Sequence, residues 1–167
     1  MIKKKFFLCF FFIICGCSSF EFVYDKNPVI ESIENNVIYN VNGDESEIVL
    51  SYLNNKIGAS KSLGEFLLKI ESEKTSTNIV IKENQTASQI KISHTLQYVL
   101  SKPLKNCNIF KKEITTSIVY SAKSSGYSFG TDSSKNEILI KNIQTNINSL
   151  LRYIVTNYSI LDCQNEN

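Results

Sequence analysis

Histidine is almost missing from this chain: 167 residues include one, His94. A lone imidazole leaves little to activate a nucleophile or to ligate a metal. The sequence also lacks a Gly-rich phosphate loop, a nucleophile elbow and any His/Cys set at metal-ligand spacing. Its carboxylates stand singly, with no acidic pair at a suggestive spacing. No enzyme and no cofactor are therefore expected. His94 falls in the inward register of a strand pattern, where a core or edge histidine is far commoner than a catalytic one. Also absent is any run of about twenty apolar residues, so no membrane-spanning helix is expected.

The longest greasy run has a different meaning. Lys3, Lys4 and Lys5 precede an apolar core of about ten residues from Phe6 to Cys15, and Gly16 supplies the small residue beside a cleavage point. This predicts a signal peptide over residues 1–16. Ile14-Cys15-Gly16-Cys17 resembles a bacterial lipobox, which makes Cys17 the expected acylated N-terminus of a mature domain over residues 17–167. Each buried methylene contributes about 0.8 kcal/mol, and stable anchoring needs two or more chains, palmitate among them. By the same resemblance, Ser18 after the cysteine favours the outer membrane, with the domain on its periplasmic side.

Loss of the signal removes the basic excess. Taking Lys3, Lys4 and Lys5 from 18 basic side chains leaves 15 against 16 acidic ones. Nucleic-acid binding would want a clustered basic face, and none is implied. Of the remaining cysteines, Cys107 and Cys163 form an even pair in an oxidising compartment, so a structural disulfide is one reading and two separate thiols the other.

Along the mature chain, Phe20, Phe22, Val23 and Tyr24 form a short apolar segment that Asn27-Pro28 is expected to close. Val37 to Val41 predict a strand ending at Asn42-Gly43. Asp44 and Glu47 read as a capping box before a helix carrying Val49, Leu50, Leu53 and Ile57, stopped by Gly58. The period then changes to two: Phe66, Leu68 and Ile70 alternate with Glu65, Leu67, Lys69 and Glu71. It continues through Ile90, Ile92, His94, Leu96, Tyr98 and Leu100. Asn106 to Phe110 are expected to turn the chain back into Ile114, Thr116, Ile118 and Tyr120. A second capping box, Ser134 to Glu137, predicts a closing helix of some six turns with an apolar stripe from Leu139 to Tyr158. The expected fold is α+β: an antiparallel or mixed four-stranded sheet with two helices packed on one face.

An acylatable Cys17, the mature start "CSSFEFVY", a short helix, a strand meander, the segment "SGYSFGT" and a closing amphipathic helix together resemble the LPS-assembly lipoprotein family, LptE. That resemblance implies an outer-membrane lipoprotein that plugs a large β-barrel and helps it deliver lipopolysaccharide to the cell surface. The implied partners are the outer-membrane β-barrel assembly protein, lipopolysaccharide and the membrane itself. In that setting Lys91, Thr95, Gln97, Thr115 and Ser117 are expected to face the barrel wall or the passing glycolipid. Lys102, Lys105, Lys111 and Lys112 are candidates for lipid A phosphates, the bland alternative being a solvated loop rim. The rival readings are a lipoprotein that binds another envelope component and, from a different class, a periplasmic enzyme.

Overall fold

The structure, a computed structural model, describes residues 27–34, 36–81, 87–121 and 128–163. Cys17, the signal segment and the aromatic start of the mature chain lie outside the described residues. Chain order is α1 (Pro28–Ile33), β1 (Val37–Gly43), α2 (Ser46–Ile57), β2 (Phe66–Ile81), β3 (Ala87–Lys102), a 3-10 turn (Pro103–Lys105), β4 (Cys107–Ser121) and α3 (Ser128–Asn157). The sheet runs β1-β2-β3-β4, with β1 parallel to β2 and the other pairs antiparallel. The expected α+β class with a mixed four-stranded sheet is the one observed.

Several expected boundaries need correction. Asn27-Pro28 opens a helix: the Asn27 side chain accepts from the Val29 amide at 2.9 Å and Pro28 takes the first turn, where no amide is needed. This third helix buries Val29, Ile30 and Ile33. The Asp44–Glu47 capping box does not form. Asp44 Oδ2 instead accepts the Lys74 amide at 2.8 Å, and Glu45 pairs with the Lys74 ammonium. Both contacts close the edge of β2 where β1 runs out at the Gly43–Ser72 pair. Gly43 is required there: its φ is 91°, and a Cβ would stand 2.1 Å from the Ser72 carbonyl oxygen.

Strand β2 runs well past Ile70, to Ile81, because pairing with β3 needs no buried face. Its apolar alternation stops at Ile70, and Glu73 to Ile79 are exposed. The turn after β3 comes earlier than expected, at Pro103–Asn106, with Asn106 left-handed at φ 50°. Ile109 and Phe110 therefore belong to a strand and are buried. The closing helix starts at Ser128, so Ser134 is internal and the tail of the "SGYSFGT" segment is helical. Glu137 reaches forward to Lys141 at 3.0 Å and not back to a cap. Thirty residues at roughly 1.5 Å each make a rod of about 45 Å.

One core joins these layers. Leu139, Ile143, Ile147, Leu150, Leu151 and Ile154 of α3 meet Ile92, Leu96, Tyr98 and Leu100 of β3, with α2 adding Val49, Leu53 and Ile57. Period two in the strands and period 3.6 in the helices thus point at the same interior. The opposite face of the sheet carries no helix among the described elements that pack on it.

Candidate functional site: the uncovered face of the sheet

Alternation sends every second side chain of β2, β3 and β4 away from the helices, and the register lines them up in rows. Thr75, Ser93 and Ser117 form one row, and Glu73, Thr95 and Thr115 the next. Glu71, Gln97 and Glu113 follow, with Asn42 of β1 donating to Glu71 at 3.1 Å. Within the rows, the Ser93 and Ser117 hydroxyls lie 2.8 Å apart and those of Thr95 and Thr115 2.9 Å apart. Such cross-strand hydroxyl pairs tie neighbouring strands together and leave spare lone pairs outward.

All five side chains expected to face a partner, Lys91, Thr95, Gln97, Thr115 and Ser117, share this surface. The four lysines do not form one cluster. Lys111 is on the uncovered face, in register with Val99, and Lys69 stands on the other side of Val99 in the same row. Lys105 sits at the turn and donates to Asp162 at 2.9 Å. Lys102 is 7% exposed, on the helix side of β3, held by Glu65 at 2.9 Å and Asp162 at 3.4 Å and lying over the Phe66 ring. The Glu65 hydrogen bond raises its pKa, so it stays charged. Lys112 pairs in register with Tyr98, one of the inward residues, and its ammonium lies 4.8 Å from the Tyr153 ring centroid. The four candidate lysines are thus divided between the two faces, because strand parity sends Lys102 and Lys112 to the helix side. Lys69 belonged to the β2 alternation in the sequence, but its partner Lys111 lies 42 positions away and only the register joins them.

Asp162 gathers these charges at one end of the molecule. Hydrogen bonds from Lys105, the Cys163 amide and Lys102 pull its pKa down to about 2. A disulfide joins Cys107 to Cys163 beside it, with a Cα separation of 5.9 Å.

Beneath the face lies a polar seam that the strand and helix patterns did not announce. Asn146 of α3 is fully buried; its amide donates to the His94 carbonyl at 3.2 Å and the Ile114 carbonyl at 2.8 Å, and its oxygen accepts from the Tyr98 hydroxyl at 2.8 Å. Asn142, one turn earlier, donates to the Ile92 and Thr116 carbonyls. The available signal was two asparagines on the helix face that holds Leu139, Ile143 and Leu150. His94 lies against this seam with neither ring nitrogen bonded and no exposure. Burial, reinforced by the Lys74 charge, lowers its pKa, so the ring is neutral and out of reach of a solute. Among the described residues no group of three or more His, Cys, Asp or Glu could hold a metal, and no helix is long and apolar enough to cross a membrane.

A mixed four-stranded sheet backed on one side by helices is the fold of a class of small bacterial lipoprotein domains. The particular structures it is similar to include rare lipoprotein B from Shewanella oneidensis, at 6% identity over 72% of this chain and 93% of that one, with a TM-score of 0.54. A minor lipoprotein from Acinetobacter baumannii (12% identity, 72% and 90% covered, TM-score 0.53) and lipoprotein B from Nitrosomonas europaea (9%, 72% and 81%, 0.56) share it as well. At such identities the likeness establishes the fold, which is the LptE-like fold expected above. No family profile matches the chain. No curated protein matches it either.

Proposed function

We propose that this chain is an outer-membrane lipoprotein, acylated at Cys17, that docks the uncovered face of its sheet within an outer-membrane β-barrel and assists the passage of lipopolysaccharide. The observation that carries this reading is the face itself: hydroxyl, amide and charged side chains over four strands, left bare among the described residues by helices that serve the other side. A barrel lumen is polar and wetted, and a hydrogen-bonding surface matches it better than an apolar one would. The fold shared with rare lipoprotein B supports the same reading.

In this reading Thr95, Gln97, Thr115, Ser117 and Lys91 meet the barrel wall or the glycolipid. Lys69 and Lys111, two strands apart and thus about 10 Å from one another, offer two point charges to phosphates; Lys102 and Lys112 serve the fold. The protein acts by binding and performs no chemical step. The test is isolation of the full lipoprotein from detergent-solubilised membranes. A co-purifying β-barrel protein is the expected result, and a chain recovered alone would end the proposal.

A further inference from the structure

We propose that the end of the domain carrying Leu63, Leu104 and Ile160 is a three-pronged tip that enters the surface of a lipid bilayer. The inference deepens the proposed function and rests on its anchored reading of Cys17. Three large aliphatic side chains stand almost wholly in water: Leu63 at 92%, Leu104 at 93% and Ile160 at 78% exposure. The other exposed large hydrophobics, Ile79 and Val119, are only half exposed, at 48% and 50%. Single exposed leucines are ordinary on protein surfaces. Here the three come from different connections, and one ion cluster ties those connections together.

Lys102 bonds Glu65, two residues after Leu63, and Asp162, two residues after Ile160. Leu104 lies between Lys102 and Lys105, and Lys105 also holds Asp162. The Cys107–Cys163 disulfide clamps the turn to the tail a second time. The prongs are therefore carried on one braced pole. A protein partner wants a contiguous, shape-matched patch, whereas separate aliphatic tips need only a fluid apolar phase. Lys61 stands two residues before Leu63 in the sequence and Lys105, which also pairs with Asp162, directly after Leu104, so each leucine has a cation close by in the chain for an anionic lipid surface.

The tether reaches as well. The Asn36 amide donates to the Ile33 carbonyl and the Phe66 amide to the Asn36 carbonyl, which puts the end of α1 at the pole where β2 begins. Six helical residues place the start of α1 only about 9 Å further along. From Cys17 to Asn27 the chain spans at most about 35 Å. Acyl chains in the leaflet and prongs at its surface can thus be engaged together.

The chain has no tryptophan, so one introduced indole reports its own depth without background. Full lipoprotein carrying Leu63→Trp, Leu104→Trp, Ile160→Trp or, as the reference, Val119→Trp is reconstituted into phosphatidylethanolamine/phosphatidylglycerol vesicles with brominated tails. The expected result is blue-shifted emission and loss of intensity at the three tip positions but not at the reference. Vesicle flotation of the unsubstituted chain, abolished by Cys17→Ala, reads the anchor separately. If the chain floats while all three indoles remain as water-exposed as the reference, the tip is overturned and the anchor stands. If it does not float, the anchor reading fails, and the same vesicles added to the free protein decide the tip: quenching at the three positions upholds it and none overturns it.

Discussion

His94 and Asn146 are adjacent in the seam yet stand on opposite sides of the stability balance. Each nitrogen of His94 is buried without a partner, a condition that costs more than an exposed ring would. Its folded-state pKa lies below the ordinary 6.5, so the native protein resists a proton that the unfolded chain accepts. Stability is then fully present above pH 6.5 and declines as pH falls through and below that value. Asp162 does not mask this, since its carboxyl, held at about 2, takes up a proton only far lower. Urea midpoints measured at a series of pH values should fall between neutrality and pH 5. His94→Leu should flatten that fall and add about 1 kcal/mol at pH 7, and an unchanged slope would refute the assignment. Asn146 is the reverse case, with every polar atom bonded. Asn146→Ala takes away the acceptor of the buried Tyr98 hydroxyl and the amide that donates to two strand carbonyls, and should cost about 3 kcal/mol in the same assay. Exposed Thr145→Ala should stay within about 0.5 kcal/mol.

At the scale of elements, the disulfide joins the first residue of β4 to the tail beyond α3, across a sequence separation of 56. Closing a loop of that length in the unfolded chain is worth about 4 kcal/mol in the chain-entropy view. Chemical reduction, or Cys107→Ser with Cys163→Ser, should lower unfolding free energy by most of that amount, read by denaturant titration with and without reductant. Gly43→Ala should be harmful too, by about 2 kcal/mol, because a methyl group would meet the Ser72 carbonyl. These elements also show what a sequence reveals. Strands β3 and β4 were legible because alternation is a property of neighbouring residues, and the buried set Ile92 to Leu100 follows it. Both capping boxes misled. Asp44 was claimed by Lys74 thirty positions away, and Ser134 sits inside a helix that nothing upstream interrupts. The bare face was readable as Thr and Ser in alternate places. The split among the four lysines was not, because strand parity between residues 102 and 112 depends on where the turn falls.

At the scale of the whole domain, the described residues are arranged one-sidedly: helices, core and polar seam lie on one face of the sheet, and the hydroxyl rows lie on the other. Folding and docking therefore draw on different side chains and can be separated by substitution. Thr95 is the most useful position. Its cross-strand neighbours are Glu73 and Thr115, so a lysine there gains an opposite charge in register and loses only one hydroxyl pair. A cross-strand ion pair is worth a few tenths of a kcal/mol, enough to offset that loss. Thr95→Lys should thus unfold within about 0.5 kcal/mol of the parent and still reach the membrane. Its longer side chain and charge, however, stand in the middle of the surface proposed to meet the barrel. The co-purifying barrel protein should be lost from Thr95→Lys preparations but retained by Lys56→Ala, whose site on α2 belongs to the helical side. A barrel recovered equally with both variants would mean that the bare face is not what the partner reads, whatever holds the two proteins together.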